Sequence, residues 1–275
     1  MHRILFSIGS FYIYSYGVMI ALAFIVGILL AMKEAKRKGE NPERIVDLSL
    51  FVILGGIIGG RVGHVILHLD YYAQNWIRIF YFRQGGLAFL SGFILAFLLG
   101  SWYVKHHKLP FWKYTDIAAP SIALGLAIAR IGCFLNGCCF GMVSEKYGIR
   151  FPSLHQPPVY LRQLTDGLIT SGSLHTLPVI PTQLYSSLKG FLIFLILIWL
   201  QKKERYDGFL FLSFLLFYSM GRFIVEFFRF SEEGYLFYNL NLTQIFCLGS
   251  FCLALILMNL LKRRGQGIRK DIKEI

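Results

Sequence analysis

"DIAAPSIALGLAIARIGCFLNGCCFG", Asp116–Gly141, decides the fold. From Ile117 to Asn136 the run is apolar except for a few small polar residues and Arg130. A run of about twenty such residues, wound as a helix, crosses a hydrocarbon core of roughly 30 Å. Six more blocks of the same kind flank it: Phe11–Met32, Ile45–Leu67, Gly85–Val104, Pro181–Leu200, Phe209–Phe228 and Thr243–Leu261. The chain therefore reads as an all-α integral membrane protein, a polytopic bundle of seven transmembrane helices. The blocks are continuously apolar rather than alternating, which argues against a β-barrel.

Composition agrees. Of 275 residues, 56% are hydrophobic and 16% charged. A soluble domain carries about 25% charged residues. The net charge of +13 does not mark a nucleic-acid binder, because the basic residues fall in short connections between apolar blocks. Such charges set membrane topology. Connections after the odd blocks hold Lys33, Lys36, Arg37, Lys38 and Arg44, then Lys105, Lys108 and Lys113, then Lys202, Lys203 and Arg205. The tail adds Lys262, Arg263, Arg264, Arg269, Lys270 and Lys273, whereas the other side has only scattered Arg3, Arg78, Arg83, Lys146, Arg150, Arg162 and Arg229. This bias predicts an outer N-terminus and a cytoplasmic C-terminus. Met1–Ser10 is short and is followed by a full-length span, so no cleaved signal peptide is expected.

The reading is one transmembrane domain over residues 1–275, with an external cap at about 138–180. That connection contains "HQPPVYLRQLTDGLITSGSLHTLP" and is too long for a simple link. Gly55 and Gly59, and Gly56 and Gly60, show small-xxx-small spacing, a sign of close helix packing.

Ionisable residues inside a membrane are costly and point to function. Here they are Asp47, Arg61, His64, Asp116, Arg130, Arg222 and Glu226. Asp47 and Asp116 sit near cytoplasmic ends and are expected to reach the interface. His64 is expected to be a packing histidine. Tyr218, Arg222 and Glu226 repeat every fourth residue, so they share one helix face. Arg130 closes the fourth block at a similar outer depth, and Tyr16 opens the first. Two arginines and two phenols suit an anionic lipid head group, since guanidinium binds phosphate through a rigid donor fork.

Five cysteines complete the inventory. Cys247 and Cys252 read as small core residues. Cys133, Cys138 and Cys139 lack the paired spacing of a zinc site, so no metal is expected there. An adjacent arginine would favour a thiolate nucleophile, but an inert structural role is the stronger reading.

"SYGVMIAL", "GGRVGHVI", "QGGLAFLSGF", "DIAAPSIALGLAIARIGCFLNGCCFG", "PTQLY" and "YSMGRFIVEFFR" follow one another in this order. Together, from about Tyr14 to Leu261, they resemble the prolipoprotein diacylglyceryl transferase family. The resemblance implies a multi-pass enzyme of the bacterial inner membrane. It would move a diacylglyceryl group from phosphatidylglycerol to the lipobox cysteine thiol in the signal segment of a prolipoprotein. Glycerol phosphate would leave, and no metal or organic cofactor is implied.

By motif, Arg130 corresponds to the family's phosphate-holding arginine. Asn136 and Gly141 correspond to its signature's second asparagine and final glycine, completing the phospholipid-binding set. Tyr16, Tyr218, Arg222 and Glu226 correspond to the catalytic group. Gln183 and Tyr185 fall in its "PTQLYE"-like stretch, which ends here in Ser186. Leu90 stands at the family's third-span histidine and Ser91 at the glycine after it. Cys133 stands at the signature's first asparagine and Cys138 at its acidic residue. These departures leave two other readings open: a non-catalytic lipid-binding protein of the same fold, and a transferase with a different acceptor.

Overall fold

A computed structural model of the chain describes residues 3–8, 11–73, 75–81, 86–230 and 240–271. Nine α-helices are described: α1 Ser15–Arg37, α2 Pro42–Leu67, α3 Leu69–Ala73, α4 Phe89–His106, α5 Phe111–Asn136, α6 Pro158–Thr165, α7 Thr182–Leu200, α8 Phe209–Glu226 and α9 Leu242–Asp271. Seven of them, all but α3 and α6, are long and apolar enough to cross a membrane. The protein is an all-α polytopic membrane protein. Large apolar side chains such as Leu29, Ile66, Phe97 and Ile256 are more than half exposed, which in water would be an aggregation surface and in lipid is a solvated one.

The seven expected spans correspond one to one with these helices, and their edges shift for local reasons. Phe11–Tyr14 is not the start of the first span but strand β2, paired antiparallel with β1, Ile4–Ile8. The aromatic and β-branched "FYIY" suits a pleated edge. Helix α1 begins only at Ser15, whose backbone N–H and hydroxyl both donate to the Arg3 carbonyl. Helix α2 starts at Pro42 because Asn41 caps it, its side chain accepting from the Glu43 N–H at 2.9 Å. Helix α9 runs past Leu261 to Asp271. The expected start at Gly85 lies outside the described residues, as do Arg83 and Lys273.

The chain divides into two compact units, residues 31–117 and residues 1–30 with 118–275. In the first, α2 packs on α4. A Cβ on Gly55 would sit 2.9 Å from the Ala96 Cα, and one on Gly59 would sit 2.6 Å from the Leu95 Cβ. The glycine spacing therefore serves close packing. Ala31, Ala35, Ile45, Val104, Tyr114 and Ile117 form this unit's core. Asp116 does not reach the interface as expected. It is fully buried and pairs with Lys38 at 3.6 Å, because its helix starts a turn and a half earlier than the hydropathy suggests. Asp47 accepts from the Tyr103 hydroxyl at 3.0 Å. The His64 ring lies 4.3 Å from that of His68, the two planes tilted by 33°. Arg61 is buried, donating to the carbonyls of Ile79 and Arg78 at 2.7 and 2.6 Å.

In the second unit, Ala119 and Ala123 of α5 meet Ile193 and Leu197 of α7 and Leu210 and Phe214 of α8. The 138–180 connection folds on its own small core of Phe151, Val159 and Val179, and Phe134 and Phe140 pack against it. The N-terminal hairpin is tied to it by Arg3, which donates to the His155 and Gln156 carbonyls at 2.7 and 3.0 Å.

Candidate functional site

All the candidate catalytic and lipid-binding residues lie in the second unit. Helix α5 delivers Arg130 in its penultimate turn and Asn136 at its last residue. The first turn of α1 lies directly on it: a Cβ on Gly132 would be 2.8 Å from the Met19 Cβ and 3.6 Å from the Tyr16 Cα. That contact puts Tyr16 within electrostatic reach of Arg130 and of the thiols of Cys133, Cys138 and Cys139.

Arg130 lines a narrow cleft with Leu126 of α5, Ser186, Lys189 and Gly190 of α7, and Tyr218 and Arg222 of α8. Three cations thus surround one cavity. The Lys189 ammonium sits 4.2 Å from the centre of the Tyr218 ring, a cation–π contact. The stem of Lys189 crosses α8 at Gly221, where a Cβ would lie 2.9 Å from the Lys189 Cγ. Ser186, which stands where the resemblance places a glutamate, donates to the Thr182 carbonyl at 2.7 Å.

Arg222 and Glu226 pair across one helical turn, Nη1 to Oε2 at 2.7 Å, and both side chains are largely buried. Arg229 approaches the same oxygen at 3.9 Å. The other oxygen, Oε1, accepts from Asn241 Nδ2 at 3.3 Å. Asn241 is itself fixed by a capping box at the start of α9. Its N–H donates to Gln244 Oε1 at 3.0 Å, and its Oδ1 accepts from the Gln244 N–H at 2.9 Å. Glu226 is therefore held from two helices.

After α5 the chain turns through Gly137, in the left-handed region, and runs to Gly141. Gly141 donates to the Ile180 carbonyl at 2.9 Å and bridges Arg229. A Cβ there would meet the Ile180 carbonyl oxygen and the Thr182 Cγ2, both at 2.8 Å. Gly141 thus fastens the loop to the backbone and is not among the residues lining the cleft. Gln183 is fully buried and donates to the Cys138 carbonyl at 2.8 Å. Tyr185 is 40% exposed and faces the edge of the Phe228 ring.

The sulfur atoms of Cys133, Cys138 and Cys139 lie within 4.8 Å of one another, and all three are free thiols. Spacing along the chain does not foretell this convergence, since it comes from the turn at Gly137. Hydrogen bonds from Cys133 and Cys138, with the charges of Arg130 and Arg229, hold the Cys139 thiol well below the ordinary thiol range. Cys247 is buried as expected, but Cys252 is exposed on α9 and is not a core residue.

The structure brings together Arg130, Tyr218 and Arg222 in the cleft, with Glu226 paired to Arg222 and Tyr16 within electrostatic reach of Arg130 but not lining the cleft. Sequence reasoning missed Lys189 and Asn241. A lysine eight residues into the apolar block Pro181–Leu200 was the available signal for the first. The cleft attracts an anion, because Arg130, Lys189 and Arg222 line it and Glu226 offsets only one of them.

The sequence model of the prolipoprotein diacylglyceryl transferase family matches residues 3–260. The phosphatidylglycerol–prolipoprotein diacylglyceryl transferase of Bacillus cytotoxicus is 34% identical over 276 aligned positions, covering 100% of this chain and 97% of the relative. Those of Bacillus mycoides and Bacillus anthracis are also 34% identical, over 99% and 98% of this chain and 97% and 96% of theirs. A family match over nearly the whole chain, with relatives of this similarity over their full length, places the chain in the prolipoprotein diacylglyceryl transferase family.

Proposed function

We infer that this enzyme transfers the diacylglyceryl group of phosphatidylglycerol to the lipobox cysteine thiol of prolipoproteins, and that glycerol phosphate leaves. The observation that carries this reading is the cleft shared by Arg130, Lys189, Tyr218 and Arg222. A phosphodiester fits it in charge, and guanidinium forks grip the non-bridging oxygens.

The acceptor sulfur attacks the glyceryl carbon next to the phosphate. A carbon–sulfur bond forms, the carbon–oxygen bond breaks, and its electron pair goes to the phosphate oxygen. The thiol proton is lost to solvent before or during attack. Negative charge grows on the leaving phosphate, so cations fixed around it stabilise the transition state more than the bound lipid. Arg130 and Arg222 grip the phosphate, Tyr218 and Tyr16 orient the head group, and Asn136 adds a hydrogen bond. Glu226 steers Arg222, and Gly141 fixes the loop that follows Asn136. The site belongs to the outer half of the bacterial inner membrane, where a signal segment can present its cysteine.

The test is transfer in phosphatidylglycerol vesicles to a lipobox peptide, read by the diacylglyceryl mass increase on the peptide. Vesicles of phosphatidylethanolamine alone should give none. Lipid binding without any mass increase would instead mark a protein that kept the fold and lost the chemistry.

A further inference from the structure

The three thiols beside the cleft are held by an ordered frame. Cys133 ends its side of α5, and its carbonyl accepts from the Cys138 N–H at 3.1 Å. The next two carbonyls are tied to the start of α7: Gln183 donates to that of Cys138 and Thr182 to that of Cys139, both at 2.8 Å. Cys139 itself has φ +58°, a left-handed backbone that an L side chain adopts at a cost. With the backbone polar groups occupied on the α7 side, the three sulfurs converge within 4.8 Å. Tetrahedral zinc with bonds of about 2.3 Å sets its sulfur ligands about 3.8 Å apart, so small side-chain rotations close the trio onto one ion.

Two features give this arrangement a direction. Among the described residues, no fourth histidine, cysteine or carboxylate joins the group, which leaves one coordination position open. Open sites of three protein ligands are those that accept an exchangeable fourth partner. Among the described residues the cleft lining holds no histidine or carboxylate to receive the acceptor's proton, and Glu226 is engaged by Arg222 and Asn241. Arg130 is common to both places, lining the cleft and lying against the Cys139 thiol.

We propose that Cys133, Cys138 and Cys139 form a tri-thiolate zinc site whose open position takes the acceptor cysteine sulfur as a thiolate. The proposal rests on the transferase reading above. Binding the metal fixes all three sulfurs as thiolates and releases the protons they still carry, and the acceptor thiol then displaces a bound water and loses its proton to solvent. A thiol coordinated to zinc is deprotonated outright, and the thiolate is the nucleophile. Its electron pair then forms the carbon–sulfur bond as the carbon–oxygen bond breaks onto phosphate. The thioether product is a neutral, weaker ligand and departs, and zinc stays divalent throughout. Arg130 and Arg229 offset the negative charge of the thiolate complex.

The test uses the purified full chain, stripped of metal under reducing conditions and reloaded with cobalt(II) as a spectroscopic stand-in for zinc. One equivalent should produce sulfur-to-cobalt charge-transfer bands. Cys133→Ser and Cys139→Ser should weaken or abolish these bands, and Cys252→Ser should leave them. A lipobox peptide should shift the ligand-field bands, whereas the same peptide with serine for cysteine should not. Zinc should restore transfer to the stripped chain by roughly a hundredfold or more, the scale of a lost proton-transfer step.

Absence of a cobalt complex, or a disulfide among the three cysteines in the active protein, overturns the proposal. So does a stripped chain that transfers at the full rate, and that outcome leaves the transferase reading intact. Cobalt spectra that respond to peptide without transfer under any loading would support the site and count against the transferase reading instead.

Discussion

Glu226 is the point where two helices fasten the cationic cleft: its Oε2 lies 2.7 Å from Arg222 Nη1, while its Oε1 accepts from Asn241 at the head of α9. Glu226→Ala leaves a buried guanidinium without its partner. The expected loss of stability is about 3–5 kcal/mol, read as a lowered unfolding temperature in detergent. Glu226→Gln should fall between alanine and the parent in both stability and transfer. Its one amide oxygen can serve Arg222 or Asn241 but not both, and Asn241 cannot turn its own oxygen around without giving up the bond from the Gln244 N–H. Equal loss in both variants at matched protein levels would mean that Glu226 acts on the proton and not on Arg222.

Arg130 tests the phosphate grip. Lysine at this position keeps the charge but offers no planar fork. Arg130→Lys should reduce transfer roughly tenfold or more, at least about 1.4 kcal/mol of transition-state stabilisation, with the unfolding temperature little changed. A variant that turns over phosphatidylglycerol like the parent would remove Arg130 from the phosphate site.

The division between what the residues announced and what they hid has a physical basis. Apolar length is a local property, so all seven spans were legible, and Tyr218, Arg222 and Glu226 were legible because a helix repeats every 3.6 residues. The hairpin at Phe11–Tyr14 was hidden, since an aromatic edge strand and the first turn of an apolar helix have the same hydropathy. Asp116 looked like an interfacial residue because its partner, Lys38, is distant in sequence. The thiol trio was hidden for a related reason. Cys133 belongs to a helix and Cys138 and Cys139 to a turn, and only the left-handed residues Gly137 and Cys139 fold them together.

Topology follows from the basic connections. Reporter fusions at Lys203 and Lys270 should signal from the cytoplasm, and one at Leu174, which is 75% exposed on the 138–180 connection, from outside. The bias arises because lysine- and arginine-rich short connections are retained on the cytoplasmic side. An external signal from Lys270 would contradict the proposed orientation and place the cleft at the wrong leaflet for a secreted acceptor.

Lys189 supplies the most specific expectation, because nothing in the motif pattern singled it out. Its ammonium stands over the Tyr218 ring and beside Arg130 and Arg222, and its stem has room only because residue 221 is glycine. A phosphodiester carries one negative charge, and the departing phosphate monoester carries nearly two at neutral pH. A third cation therefore matters more as the bond breaks than when the lipid first binds. Lys189→Met keeps most of the stem and removes the charge. It should lower kcat on the order of a hundredfold, the scale of losing one fixed group that stabilises a developing oxyanion, with a smaller rise in KM for phosphatidylglycerol. Gly221→Ala should reproduce part of the effect without touching any charge, since its methyl would push into the Lys189 Cγ and Cδ and move the ammonium off its ring. Lys189→Arg should keep more activity than methionine if charge is what counts. If methionine and parent share one kcat, Lys189 is only packing against Tyr218, and the cleft works with its two arginines alone.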